Sequence, residues 1–252
     1  LDYRDQQTKF ESYRSKTGKT AAFLITDNRV KLQRWLVKRL ACTIRGFHQA
    51  TRISIRAYEI RPNFQNFLDD IAKQLNLSEN TQITEDNVIK QICLLCKTKL
   101  VILAVYEINI LNTSQSQDTL NRLLSFWKKL VEEADSQKWH RRSRLILFLT
   151  EHSACEYPFE VKNDFDPNHT DIPVRLGKSA QINRQEVKIW LDSDPIFEPL
   201  CQIIGENQAD SFLEIVESLP SSETEIDMDF ICQNCGLEEG VAQIEHYWEL
   251  TA

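Results

Sequence analysis

The run Ala21-Ala22-Phe23-Leu24-Ile25-Thr26-Asp27-Asn28-Arg29-Val30-Lys31-Leu32-Gln33-Arg34-Trp35-Leu36-Val37-Lys38-Arg39-Leu40 carries the reading of this chain. Ala21 to Thr26 is an apolar stretch of strand length. Asp27-Asn28-Arg29 is a polar turn. Beyond it Val30, Leu32, Trp35, Leu36, Leu40 and Ile44 recur at helical spacing, and Gly46 suits the helix end. The layout is strand, tight turn, helix.

That layout is the one in which a glycine-rich turn wraps phosphates at a helix N-terminus. The phosphate-loop frame GxxxxGK[ST], laid from Asp27 to Arg34, finds none of its four demanded residues. Asp27 and Leu32 stand at the glycines, Gln33 at the lysine and Arg34 at the hydroxyl. A carboxylate at Asp27 opposes a phosphate, whereas it suits a helix N-cap, so the turn reads as structurally kept and chemically emptied. Thr17-Gly18-Lys19-Thr20 mimics the end of such a motif, but it precedes the strand and has Tyr13 at the first glycine position. It reads as a solvated turn.

The clearest buried strand is Leu100 to Glu107, a continuous apolar run of the parallel type. A Walker B strand would end in an Asp that holds magnesium. Tyr106 stands there, and Glu107 follows as a strand-end residue bonded locally.

Around these two strands the remaining elements fall in alternation. Residues 1–20 form a polar N-terminal arm, linker or short helix carrying Phe10 and Tyr13. Thr51 to Ile60 reads as the second strand, and Pro62 opens a helix with Phe64, Phe67, Leu68, Ile71 and Leu75 on one face. Thr84-Glu85-Asp86-Asn87 starts another helix with Val88, Ile89, Ile92 and Leu95. A long helix over Ser116 to Lys138 precedes the strand Leu145 to Thr150. An acidic loop then leads to a short last strand, Ile172 to Leu176. The expectation is an α/β, three-layer P-loop NTPase-like domain over residues 21–180 with a mostly parallel five-stranded sheet. Residues 181–252 read as a helical C-terminal region, with helices at Glu186 to Leu191, Phe197 to Ile204, Ala209 to Leu219, Met228 to Cys235 and Glu238 to Leu250.

The 252 residues, 42% of them hydrophobic, suffice for one α/β domain and a smaller annex. A net charge of −7 argues against a general nucleic-acid binder, which displaces counterions with a basic surface. With no run of membrane-spanning length and no signal-peptide pattern, a soluble cytoplasmic protein is expected. The chain begins at Leu1 and has its single methionine at Met228, which reads as a piece of a longer polypeptide.

The seven cysteines are expected to be reduced thiols. Two CxxC pairs, Cys93/Cys96 and Cys232/Cys235, have the spacing from which a four-cysteine zinc site is built. Both sit in apolar segments at helical spacing, and packing is the preferred reading, with no metal. The histidines His48, His140, His152, His169 and His246 make no HExxH pattern, and nothing beside His152 and Cys155 completes a nucleophilic arrangement. Lys31, Arg34, Lys38 and Arg45 fall on one side of the first helix. They offer either a solvated face or a docking surface for an acidic protein segment or phosphates. Arg141 and Arg142, beside Trp139, offer the same choice.

Ala22-Phe23-Leu24-Ile25 leading through the degraded turn into Gln33-Arg34-Trp35-Leu36-Val37-Lys38-Arg39-Leu40 resembles the inactive STAND family. So do Asn63-Phe64-Gln65-Asn66-Phe67-Leu68, the strand Leu100 to Tyr106, Phe126-Trp127 and Leu145 to Leu149. Members resemble signal-transducing P-loop ATPases whose nucleotide motifs have decayed. The resemblance implies a sheet ordered as in those ATPases, no hydrolysis, no catalytic residues and no cofactor. It further implies an adaptor role beside effectors in prokaryotic defence and signalling systems. The function expected is therefore a non-catalytic protein-interaction or scaffold module whose partner is an effector or adaptor, with no membrane and no direct nucleic-acid ligand. The alternative is a nucleotide-binding sensor that binds without hydrolysis through a non-standard loop, Arg29, Lys31 or Arg34 replacing the lost lysine.

Overall fold

The computed structural model describes residues 4–15, 19–27, 30–61, 63–77, 83–137, 139, 140 and 143–178, together with 211, 214, 215 and 218. The chain divides into two compact units, Arg4–Ser179 and a second comprising Leu1–Tyr3 with Ala180–Ala252.

In the first unit five strands, β1 (Thr20–Thr26), β2 (Thr51–Arg56), β3 (Val101–Tyr106), β4 (Leu145–Glu151) and β5 (Val174–Lys178), form one sheet in the order β2-β3-β4-β1-β5. Every pairing is parallel. The apolar runs explain this: β1, β3 and β4 are buried at every position, as strands covered on both faces must be. Thr26 pairs in register with Glu151, and Val105 with Leu149, so the carboxyl ends of β1, β3 and β4 lie level along one rim.

Among the described residues six α-helices accompany the sheet: α1 (Arg4–Ser15), α2 (Val30–Cys42), the single turn α3 (Ala57–Ile60), α4 (Phe64–Gln74), α5 (Glu85–Cys96) and α6 (Gln117–Ser136). One face of the sheet, with Ala22, Leu24, Ile53, Ile55, Leu103 and Leu147, packs into a core with Phe67 of α4, Ile92 of α5 and Trp127 of α6. On the other face Phe10 of α1 lies 4.9 Å from Phe23 and 6.0 Å from Phe148, and Tyr13 lies 5.1 Å from Phe165. Alternate side chains of each strand thus serve opposite layers.

Several expectations shift. The segment expected as an arm or linker over residues 1–20 contributes a helix whose two aromatics are buried, so α1 belongs to the α/β unit. The second strand ends at Arg56, where the chain turns into α3 instead of continuing to Ile60. Asn63 caps α4, its side chain accepting from the Gln65 N–H at 2.9 Å; Pro62 lies outside the described residues. The last strand is displaced from Ile172–Leu176 to Val174–Lys178, with a register shift between Leu24 and Thr26. Gly177, at φ 90°, supplies the left-handed backbone that an L side chain resists in that irregularity. Of the expected C-terminal helices, only Ser211, Glu214, Ile215 and Ser218 are described, and they are helical. The rest lie outside the described residues.

Candidate functional site

The site is the rim where β1, β3 and β4 end and the β1–α2 turn departs, the place where open parallel sheets receive ligands. Asp27 continues β1: its N–H donates to the Glu151 carbonyl at 3.0 Å. α2 begins at Val30, three residues later, so Asp27 is an extension of the strand and not the helix N-cap expected from sequence.

Gln33, at the lysine position of the frame, is fully buried. Its Nε2 donates to the Asp27 carbonyl and, at 3.1 Å, to the Glu151 carbonyl. The Thr150 hydroxyl donates to its Oε1. One carboxamide from α2 thereby ties the ends of β1 and β4, spending both its donors and its acceptor. Thr150 in turn accepts from the Glu107 N–H at 3.1 Å, which joins the end of β3 to the same network.

Arg34, at the hydroxyl position, is half-buried and lies with its guanidinium carbon 5.5 Å from the centroid of the Tyr106 ring. Burial pushes the Tyr106 phenol above its ordinary value, against the pull of the Arg34 cation and of Ser54. Arg34 is therefore turned onto the sheet and does not stand with a free basic face. Lys38 is half-buried and Arg45 exposed, whereas the side chains of Lys31 and Leu32, together with Arg29, Arg141 and Arg142, lie outside the described residues. Trp139, beside those two arginines, is buried in the core.

Glu107 takes a left-handed backbone, φ 65°, and its carboxylate meets His152 Nε2 at 2.9 Å. Sequence reasoning passed over the most buried charge of the rim. Glu151 is fully buried, its carboxylate held by Arg175 of β5 at 3.2 Å, by the Thr26 hydroxyl and by the Cys155 N–H at 3.3 Å. Tyr157 also faces it, its phenol pushed far up first by burial and then by that carboxylate. A glutamate directly after an apolar strand was the available signal. Its partner Arg175 is 24 residues further along and unmarked by any motif.

Cys93 and Cys96 are free thiols buried in the core on α5. Burial pushes Cys93 up to about 12 and Cys96 further. Cys232 and Cys235 lie outside the described residues. Among the described residues no group of three or more His, Cys, Asp or Glu is arranged to hold a metal ion. No described helix is long and apolar enough to cross a membrane.

An all-parallel sheet with β4 inserted between β1 and β3, and with the interior strand β1 followed directly by α2, defines a P-loop-like α/β protein. A family model described as inactive STAND matches residues 1–150, and the chain belongs to that family. Among solved structures it is similar to the Aeropyrum pernix ORC1 protein in complex with DNA (16% identity, 96% of this chain and 64% of that one, TM-score 0.43). It is also similar to Drosophila ORC bound to DNA (17%, 87% and 50%, TM-score 0.45) and to the Aeropyrum pernix ORC2 protein in ADPNP-ADP complexes (14%, 92% and 66%, TM-score 0.45). The chain spans less than two thirds of the length of each of these three. It has no match among curated proteins.

Proposed function

We propose that this chain is a non-catalytic module, a protein-interaction or scaffold element of a bacterial defence or signalling assembly, acting in the cytoplasm on an effector or adaptor of the same system. Membership of the inactive STAND family supports the loss of catalysis. The observation that carries the reading is the contact between Arg34 and Tyr106. In a P-loop enzyme the hydroxyl residue of the loop and the aspartate of the β3 strand jointly hold Mg²⁺. Here the two corresponding positions satisfy each other, an arginine cation on an aromatic face, and a metal between them would meet a positive charge and a phenol ring in place of a hydroxyl and a carboxylate.

Gln33 supports the same conclusion. Its carboxamide is consumed by two strand-end carbonyls and a hydroxyl, so it neither carries the charge nor has the freedom that grips a phosphate. Contacts of Gln33 with the strand ends and of Arg34 with Tyr106 stand where the Walker A and Walker B residues would be.

The test is thermal denaturation with millimolar Mg²⁺-ATP, Mg²⁺-GTP and cyclic nucleotides, together with a phosphate-release assay. No shift in melting temperature and no release are expected. A nucleotide-dependent rise would overturn the scaffold reading in favour of a sensor. Cross-linking in the native host, followed by identification of captured proteins, tests the partner side: recovery of nucleic acid or membrane alone would sink it.

A further inference from the structure

The two edges of the sheet are closed differently. Outside β5 the backbone of the preceding loop completes the ladder, with Lys162 N–H donating to the Pro173 carbonyl at 2.9 Å and Arg175 N–H to the Lys162 carbonyl at 2.8 Å. Among the described residues no strand lies outside β2. Since Thr51 N–H bonds inward to Leu100 and parallel ladders alternate, Arg52 and Ser54 turn their backbone groups toward the open edge, as does the N–H of Arg56, whose carbonyl instead begins α3. At Ser54 those groups are occupied by a side chain: Ser54 N–H donates to Gln74 Oε1 at 2.9 Å, and Gln74 Nε2 donates to the Ser54 carbonyl at 2.8 Å. A primary carboxamide that accepts from the N–H and donates to the C=O of one strand residue reproduces the pairing of a peptide group. Ser54 and Gln74 are both exposed, so this stand-in is held only by two bonds at the water boundary.

The side chains flanking the position are cationic and exposed. Arg52 lies over the Phe47 ring at 5.1 Å and Arg56 over Tyr58 at 5.8 Å, with Arg56 Nη1 donating to the Tyr58 hydroxyl at 2.7 Å. Among the described residues neither guanidinium is in an ion pair, and each is oriented by an aromatic ring, which lowers the entropy lost when it meets a carboxylate. Four residues apart on one strand, they lie roughly 13 Å from each other along the edge. A neighbouring strand with acidic residues at alternate positions has carboxylates at matching intervals on one face.

We infer that the β2 edge is a docking site for an extended acidic segment of a partner protein, which adds as a strand by displacing the Gln74 carboxamide from Ser54 and sets its carboxylates against Arg52 and Arg56. The occupant is a polypeptide because the edge offers a ladder of N–H and C=O groups, which only another backbone completes. It is acidic and not a second β2, because two copies edge to edge would oppose like arginines. This inference rests on the interaction reading above and names the surface and the chemistry of its partner.

The experiment measures binding of a fluorescein-labelled peptide of alternating Glu and Val, seven residues long, by anisotropy at low salt. Comparison probes are its Lys-for-Glu counterpart, a version N-methylated at alternate residues and a twelve-residue oligothymidylate. The acidic peptide is expected to bind and the other three to fail. Arg52→Glu/Arg56→Glu should weaken binding about tenfold or more while the melting temperature stays near that of the parent. Gln74→Ala should tighten it about threefold by freeing the edge. Absence of acidic-peptide binding, equal binding of the N-methylated peptide, insensitivity to either variant, or oligothymidylate competing through the same arginines each overturns the proposal. A captured native partner that binds the double arginine variant as tightly as the parent overturns this surface while leaving the interaction reading intact.

Discussion

The guanidinium of Arg34 sits over the ring of Tyr106, 5.5 Å from its centroid, and so joins the two positions between which a P-loop enzyme would hold its metal. The pair is partly sheltered from water, a setting in which a cation–π contact contributes about 1 kcal/mol. A double-mutant cycle with Arg34→Met and Tyr106→Leu, followed by urea denaturation, should return a coupling energy of that size. A coupling near zero would mean that the two are neighbours only, and the account of the replaced metal site would lose its main support.

Gln33 lends itself to a test by polarity. Gln33→Ala leaves the Asp27 and Glu151 carbonyls and the Thr150 hydroxyl short of a partner in a buried place, at about 1–3 kcal/mol. Gln33→Glu keeps the shape but turns an acceptor toward two carbonyls, and at pH 7 it should cost more than the alanine. The substituted carboxyl would bind its proton more tightly folded than unfolded. The stability of Gln33→Glu relative to the parent should therefore recover as pH falls toward the ordinary glutamate range and be lost as pH rises. Denaturation curves at pH 4.5 and 7 check this; an unchanged difference between the two variants would contradict the hydrogen-bond geometry.

How much of this was legible beforehand follows from what each feature depends on. The central strands β1, β3 and β4 were readable because burial on both faces leaves an unbroken apolar run. β5 was misplaced by two residues because an edge strand has less apolar signal and its register is set by the irregularity at Gly177. Tyr106 and Arg34 could be placed on the phosphate-loop frame separately, but their contact is tertiary. The role of Asp27 was misassigned because its N–H is taken by the Glu151 carbonyl, a pairing across the sheet that local spacing does not reveal. α1 was undervalued because Phe10 and Tyr13 find their partners at Phe23, Phe148 and Phe165, which local spacing does not reveal.

Glu151 and Arg175 make the rim's buried ion pair, and its two halves are unequal in exposure: the carboxylate is 0% exposed and the arginine side chain 23%. Removing the arginine strands a charge in the interior, whereas removing both replaces a desolvated pair by neutral groups. Arg175→Met should therefore destabilise by about 3 kcal/mol, and adding Glu151→Gln should restore a good part of the loss. Urea midpoints of the two single variants and the double variant measure it. A double variant as unstable as the sum of the singles would show that the pair is not a unit.

The thiols of Cys93 and Cys96 are held protonated by burial well above the ordinary value of 9, with Cys93 at about 12. In the unfolded chain both lose their protons as pH passes 9, while the folded chain keeps them. The unfolded state then binds fewer protons, and stability must fall as pH rises, by up to about 1.4 kcal/mol per pH unit for each thiol. Below pH 8 both states are protonated and the slope from this source vanishes. Urea denaturation of the parent at pH 7.5, 9 and 10 should show the loss, and Cys93→Val/Cys96→Val, which keeps an apolar side chain of similar volume, should show a flatter profile over the same interval. An identical slope in the two proteins would mean that these thiols are accessible to base in the folded state, contrary to their burial on the core face of α5.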